Sequence, residues 1–523
     1  MFTSPYPDED IPAVSVYDFL FNEVDADDLP RVALVDGSSG AQTTYQQLIG
    51  QINGVAGAIA ARGIAVGDVV ALHCPNIPAF VGVFHGILKA GVSCTPVNAL
   101  YNADEIATQL RDSGAKMLFT ISALLPQAEA AGRDAGLDAA HIVVLDGAEG
   151  HPSLKDLLME QATPPQVSFD PKTHIAVLPY SSGTTGVPKG VMLSHTNLVA
   201  NVVQVKPVLD VERDDVVLAL LPFSHIYGMT VLLNIALKKR ARLVTMPRFD
   251  LAEFLRIIQD EKCSYLFIAP PIAVALAKHP LVDQYDLSSV RAILSGAAPM
   301  DGALAEAVAT RLNTRIRQGY GMTEMSPVSH VLPADKGDIS LGSVGFPISN
   351  VECKLIDVQS GEEITSVTGM SEPGELWVRG PNVMLGYLGR EDATRETLDA
   401  DGFLHTGDIA TIDEKGAFYI VDRLKELIKY KGHQVAPAEL EALLLTHPEI
   451  TDAAVIGALD DDGQEIPKAF VVKLPDSTLD EAGVMDFVAG NVAAHKKVRQ
   501  VAFIDIVPKS SSGKILRKDL KGK

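Results

Sequence analysis

From about residue 44 onward the chain alternates two kinds of apolar pattern. Residues 50–63, GQINGVAGAIAARG, place apolar side chains at three- and four-residue steps, which predicts a helix closed by Gly63. Residues 66–74, VGDVVALHC, are a short β-branched run and predict a strand. The succession repeats in PAFVGVFHGILKAG (helix) and VSCTPVN (strand). Farther on, VVLALLP, YLFIAP and AILSG are short apolar runs bounded by Gly or Pro, as expected of strands buried on both faces. Such alternation predicts an α/β fold of mostly parallel sheets flanked by helices.

The texture changes after about residue 376. GELWVRG and FLHTGDIATIDEKGAFYIVD predict short strands joined by a turn at 413–416, a small β-rich subdomain. From Ala436 the order becomes helix (PAELEALLLTH), strand (DAAVIGALD), strand (KAFVVKL), helix (LDEAGVMDFVAGNVAAH) and strand (QVAFIDIV). That is the content of one small α+β domain. With no repeat or low-complexity linker, the expected division is a large N-terminal domain over 1–421, a hinge at 422–426, and a small mobile domain over 427–523.

At 523 residues the chain is long enough for two domains. Its four cysteines, Cys74, Cys94, Cys263 and Cys353, show no metal-ligand spacing and predict reduced thiols in a cytoplasmic setting. The acidic, Pro-rich start is unlike a signal peptide, the LKGK end is not a peroxisomal address, and the most apolar stretch, 69–92, is broken by His73, Asn76, Pro78 and His85. No transmembrane segment is expected, and the chain is expected to be a monomer or homodimer. A net charge of −22 without a basic stripe in the body argues against nucleic acid as a partner. Yet the last 28 residues hold nine Lys or Arg against two Asp, a basic end on an acidic body.

The densest chemistry lies at 180–190, YSSGTTGVPKG. Glycines and a proline shape a turn that leaves backbone N–H groups and the hydroxyls of Ser181, Ser182, Thr184 and Thr185 as donors around Gly183. Lys189 adds a mobile cation, so the loop has the makings of a polyphosphate cradle. It is not a Walker A loop, because Pro188 stands where the second glycine is required.

YSSGTTGVPKGVMLSH resembles the phosphate-loop signature of the adenylate-forming (AMP-binding) superfamily. LSGAAP (294–299), QGYGMTE (318–324), TGD (406–408), DRLKELIKYKGHQVAPAELE (422–441) and PKSSSGKILRK (508–518) follow in that family's order. The resemblance is greatest to coumarate–CoA ligases and fatty-acyl-CoA synthetases. It implies a two-step reaction. A carboxylate attacks the α-phosphate of ATP, releasing pyrophosphate, and the thiol of CoA then displaces AMP, with Mg²⁺ as cofactor.

The resemblance also implies roles. Ser181–Thr185 and Lys189 would hold the β- and γ-phosphates. Tyr320 would offer a flat face to the adenine, with Gln318 and Gly319 also on the nucleotide, Thr323 would meet a phosphate, and Glu324 the Mg²⁺. Asp408 would accept from the ribose hydroxyls, with Arg423 and Lys425 nearby and Gln434 on the adenylate. Lys514, in the basic end, would neutralise the two anions of the first step, giving the acidic body a movable cation. Lys429, Lys431 and Gly432 would serve the second step, after rotation about the hinge, and Arg248 would meet CoA phosphates. His225 would line the carboxylate channel. Tyr227, Thr230, Phe267, Leu294, Gly296, Ala297, Pro327 and Val328 would form the acyl pocket.

At Leu294 many plant coumarate ligases carry a lysine, and near Thr230 an asparagine. Leucine and threonine make this pocket more apolar, which favours cinnamate-like or aliphatic acids over hydroxylated cinnamates. Three other readings share the motifs: a luciferase-like oxidoreductase, a stand-alone acyl-AMP ligase feeding a carrier protein, and an inactive binding module. No carrier domain follows Lys523, and an inactive module would be expected to lose Lys189, Glu324 or Lys514.

Overall fold

The computed structural model describes residues 1–181, 188–365, 367–431, 433–460, 464–475, 477–510 and 513–521. The expected alternation is present. The helix read at 50–63 is the C-terminal part of Tyr45–Ala61, and Gly63 turns the chain away at φ +75°. The strands Val69–His73 and Ser93–Val97 flank the helix Pro78–Lys89, and pair in parallel.

The described residues build two large sheets. In one, Val32–Asp36, Arg242–Thr245, Val216–Ala219, Tyr265–Ile268, Ala292–Ser295 and Arg315–Gly321 lie side by side and parallel. In the other, Ile142–Val144, Ala115–Thr120, Val69–His73, Ser93–Val97 and Ile175–Val177 are parallel, with Lys189–Ser194 added antiparallel. Leu34, Val70, Val217, Tyr265 and Ala292 are fully buried, which is why these strands read as unbroken apolar runs. Parallel strands end at one edge of a sheet. The segments after Ala292–Ser295 and Arg315–Gly321, both motif-bearing, therefore emerge together.

A third, antiparallel sheet contains Glu352–Ile356, Gly374–Arg379, Leu404–Ile412 and Phe418–Arg423, the expected β-rich subdomain. The turn between its last two strands is held by Asp413, whose Oδ1 accepts from the N–H groups of Lys415 and Ala417. Beyond it come the hairpin Ile428–Tyr430/His433–Val435, the helix Pro437–Thr446, and a sheet of Ile450–Leu459, Glu465–Lys473 and Gln500–Phe503. Leu440, Leu444, Val455, Val471 and Val488 form a separate core there. The helix expected over 479–495 is shorter, Glu481–Asn491: Asp480 caps its start by accepting from the Gly483 N–H, and Val492 leaves it in an extended conformation.

Candidate functional site

A cleft of about 810 Å³ opens at the motif-bearing edge of the sheets, roofed by Lys509, Ser510 and residues between 514 and 521. The phosphate-rich expectation centres on its rim. Tyr180–Ser181 pairs with Lys189–Ser194, placing Ser181 directly opposite Lys189, so these two residues close the base of the loop. The Tyr180 ring lies over Gly190, and its hydroxyl donates to Asp112 at 2.7 Å. Ser182, Gly183, Thr184 and Thr185, and Gly432 elsewhere, lie outside the described residues.

Glu324 is 5% exposed at the cleft floor. Its Oε1 accepts from Tyr387 Oη at 2.9 Å and from Ser181 Oγ at 3.3 Å. The Lys189 ammonium stands 4.7 Å from the Tyr387 ring centre. Tyr387 thus joins the carboxylate to the loop lysine, and sequence reasoning missed it. It sits alone on the two-residue strand Gly386–Tyr387, with no motif around it. Among the described residues no group of three metal-ligating side chains occurs. A Mg²⁺ ion would therefore rest on Glu324 and on oxygens of a bound phosphate, which suits an ion that keeps several non-protein ligands.

The Glu324 segment is fixed from behind. The Asn382 side-chain amide donates to the carbonyls of Met325 and Val328, and Ser326 Oγ donates to the Asn382 carbonyl. Asn201 accepts from the Val328 N–H and donates to its carbonyl. Thr323 lines the cleft beside Glu324.

Arg423 lines the other wall, and neighbouring strands place Asp408 opposite it, facing an adjoining cavity of about 780 Å³ that shares Tyr320, Arg423 and Lys514 with the cleft. The guanidinium Nε lies 3.1 Å from Asp408 Oδ1, and Tyr320 Oη donates to Oδ2 at 2.6 Å. Burial pushes the Asp408 carboxyl up, while Arg423 and Tyr320 work to keep it ionised. Lys514 enters the same wall from the roof. Burial and the nearby Arg423 press its pKa down to about 8, against the pull of Glu426 and Asp408.

The inner end of the cleft is apolar. Tyr227, Leu294, Gly296, Ala297, Pro327 and Val328 line it, as expected. Tyr227 Oη donates to the Leu294 carbonyl at 3.0 Å. A Cβ at Gly296 would come 3.0 Å from the Tyr227 ring, tighter than an ordinary contact, so glycine leaves the ring its place. His225 lines the entrance. Burial, helped by Lys514, holds its pKa down to about 4, so it is neutral. Its Nδ1 accepts from the Tyr227 N–H at 3.3 Å, leaving Nε2 as the N–H that can donate.

Other expected residues stand elsewhere. Thr230 and Phe267 are buried and line no part of the cleft: a π-helix over Tyr227–Asn234 turns Thr230 inward, and Phe267 packs edge-on behind Tyr227. The Gln318 side chain is occupied by backbone, accepting from the Met300 N–H and donating to the Met300 and Leu341 carbonyls. Gly319 and Lys425 do line the cleft. Arg248 is exposed outside it. Lys429, Lys431 and Gln434 are also exposed and outside, on the 428–435 hairpin, with Lys429 paired opposite Gln434. The structure therefore brings Lys514 to the cleft and leaves the second lysine cluster facing solvent.

Residues 22–388 match the AMP-binding enzyme family, and residues 439–514 match the AMP-binding enzyme C-terminal domain. The chain is 40% identical to 4-coumarate–CoA ligase 1 of Solanum tuberosum, over 100% of this chain and 96% of that protein. A crystal structure of the anthranilate CoA ligase AuaEII with anthranoyl-AMP shares the fold at a TM-score of 0.89 and 29% identity, over 97% of each chain. ATP-bound MatB from Rhodopseudomonas palustris superposes at 0.87 with 28% identity, over 98% of each chain, and the apo form of MatB at 0.77 over the same shares. The chain belongs to the AMP-binding enzyme family.

Proposed function

We propose that this protein is an AMP-forming carboxylate–CoA ligase. It converts a carboxylic acid, ATP and CoA to acyl-CoA, AMP and pyrophosphate through an acyl-adenylate, and an aromatic acid is the favoured substrate. The observation that carries the reading is the meeting of Lys514, Arg423 and His225 around one cleft that ends in an apolar pocket, with Asp408 bonded to Arg423 in the adjoining cavity. The relatives named as coumarate and anthranilate ligases support the aromatic choice.

In this reading Ser181, Lys189 and the loop between them hold the β- and γ-phosphates, with Thr323. Glu324 would hold Mg²⁺, which would draw charge from the phosphates; Tyr387 orients the carboxylate. Asp408 and Arg423 hold the ribose, and Tyr320 offers its face to adenine. The Lys514 ammonium neutralises the substrate carboxylate and the α-phosphate as they approach. The His225 Nε2–H orients the incoming carboxylate, and Leu294, Gly296, Ala297, Pro327 and Val328 enclose the acyl group. Lys429, Lys431 and Gln434 act only after the small domain, 427–523, turns about 422–426 to bring CoA. The buried free thiols of Cys74, Cys94, Cys263 and Cys353 fit a cytoplasmic setting.

Pyrophosphate release measured over a panel of acids, with and without CoA, tests the proposal. The expected result is acid-dependent release without CoA, with thioester formed only when CoA is added. Oxygen consumption in place of thioester formation, or no acid-dependent release at all, would overturn it.

A further inference from the structure

The helix Pro437–Thr446 is poorly equipped to end itself. Its N-cap is Ala436, which offers no side-chain acceptor, and its last turn holds no basic residue. Four N–H groups and four carbonyls at the two ends of any helix need outside partners, and a helix favours an anion at its start and a cation at its end. Both are supplied from outside the small domain, the cation by the large body and the anion by the first residue of the 422–426 hinge, which the strand Phe418–Arg423 still holds in the large domain's antiparallel sheet. Asp422, on the strand Phe418–Arg423 of the antiparallel sheet, accepts from the Ala438 N–H at 2.9 Å. The carboxylate is 4% exposed and also accepts from the Arg423 N–H. At the far end, the Lys278 ammonium donates to the carbonyls of Leu445 at 2.5 Å and Ile450 at 3.2 Å.

Lys278 closes the helix Pro270–Lys278, and the start of that helix is also engaged. Gly513, next to Lys514, lies against it: a Cβ there would stand 3.3 Å from Ala269 Cβ and 3.6 Å from Pro271. One helix of the large body thus seats the Lys514 loop at one end and pins Pro437–Thr446 at the other. Burial lowers the pKa of Lys278, as expected of an ammonium drawn under the docked helix.

We propose that Asp422 and Lys278 are positioning residues that cap the helix Pro437–Thr446 from outside and so select the orientation in which Lys514 reaches the cleft. The caps cross between the large body and the small domain. Turning the small domain to present Lys429 and Lys431 separates the helix from both pins. Losing either pin therefore weakens the adenylate-forming orientation and spares the other one. The inference rests on the ligase reading for its kinetic consequences, but the docking itself is a structural claim.

Asp422→Ala and Lys278→Met, made in the full chain, test it. Each is expected to slow pyrophosphate release by about 3- to 30-fold, the usual range for a lost helix cap. Thioester formation from supplied acyl-AMP and CoA should stay at the unmodified rate or rise. Asp422→Asn, which keeps an acceptor, and Lys278→Arg, which keeps the cation, should recover most of the loss. Hydrogen exchange read on the same variants should quicken at residues 438–440 and 444–446 while the 450–503 sheet stays protected. Equal loss in both half-reactions, unchanged exchange at the helix ends, or exposure of the whole sheet would each overturn the proposal. If the unmodified protein releases no pyrophosphate with any acid, the ligase reading fails, and the exchange measurement still decides whether the two pins dock the helix.

Discussion

Tyr320 Oη lies 2.6 Å from Asp408 Oδ2, on the side of the carboxylate opposite Arg423. Without nucleotide the phenol takes one of the acceptor positions that a ribose hydroxyl would need, so Tyr320 aims Asp408 and opposes the upward push of burial on its carboxyl. If Asp408 holds the ribose in both steps, as proposed, Asp408→Ala should weaken ATP use and also slow thioester formation from supplied acyl-AMP. Hydrogen bonds to a charged group contribute roughly 1.5–3 kcal/mol, or about 10- to 150-fold per step. Tyr320→Phe keeps the carboxylate and Arg423, and should lose less than Asp408→Ala in both assays. A normal KM for ATP with normal turnover in Asp408→Ala would remove Asp408 from the site.

Leu294 is 2% exposed at the apolar end of the cleft, beside Tyr227. A buried phenol hydroxyl without a partner costs about 1–3 kcal/mol, enough to reorder substrates. Cinnamate is therefore expected to show a higher kcat/KM than caffeate, and Leu294→Lys should shift preference toward the hydroxylated acid. Steady-state kinetics on the two acids check this. If caffeate is the better substrate of the unmodified protein, the apolar floor does not set selectivity.

The parts of this site that were legible in the sequence are those whose residues are contiguous. QGYGMTE carries Tyr320, Thr323 and Glu324 on one strand end, and the parallel strands were legible because burial on both faces leaves no polar alternation. Tyr387, Asn201, Asn382 and Lys278 were not legible. Each acts across more than fifty residues of chain, and a lone Tyr, Asn or Lys has no local periodicity to mark it. Thr230 and Gln318 fail for another reason. Their motif positions are as expected, but a π-helix turns one side chain inward and backbone groups at 300 and 341 occupy the other. Motif position fixes where a backbone passes; the direction of a side chain is decided by the packing around it.

Five histidines are held neutral by burial: His73, His85 and His225 down to about 4, His195 and His330 to about 3. Their ordinary pKa is about 6.5, so between about pH 4 and 6.5 the unfolded chain binds up to five protons that the native one refuses. Burial raises Asp408, Asp422 and Glu441, which lets the native state bind up to three more protons in the same direction of pH change. With all eight groups counted in full, five against three leaves the unfolded state ahead by about two. Stability therefore rises with pH across this window and is lost on acidification, by up to about 3 kcal/mol per pH unit at about 1.4 per proton. Urea unfolding at pH 7, 6 and 5 measures it. Stability that is level or greater at pH 5 would mean these histidines are protonated in the native state.

The two lysine clusters make the sharpest prediction, because only one of them occupies the cleft. In the proposed reading Lys514 acts while negative charge crowds the α-phosphate, and removing a positioned charge from such a site costs about 3–4 kcal/mol, roughly 10²–10³ in rate. Lys514→Ala should lose that much in pyrophosphate release, yet convert supplied acyl-AMP and CoA at near the unmodified rate. Lys431→Ala, on the exposed hairpin, should do the converse: adenylate accumulates while thioester formation slows or the KM for CoA rises. The depressed pKa adds a second signature. Lys514 is a cation below about pH 8 and loses its proton above it, so kcat/KM for pyrophosphate release should fall above that pH, approaching tenfold per unit. Lys514→Arg stays charged and should abolish this fall even if its turnover is lower. Thioester formation from supplied acyl-AMP should lack the same limb. If Lys514→Ala and Lys431→Ala impair both half-reactions alike, and both share one pH profile, a single fixed site performs both steps and the small domain does not alternate.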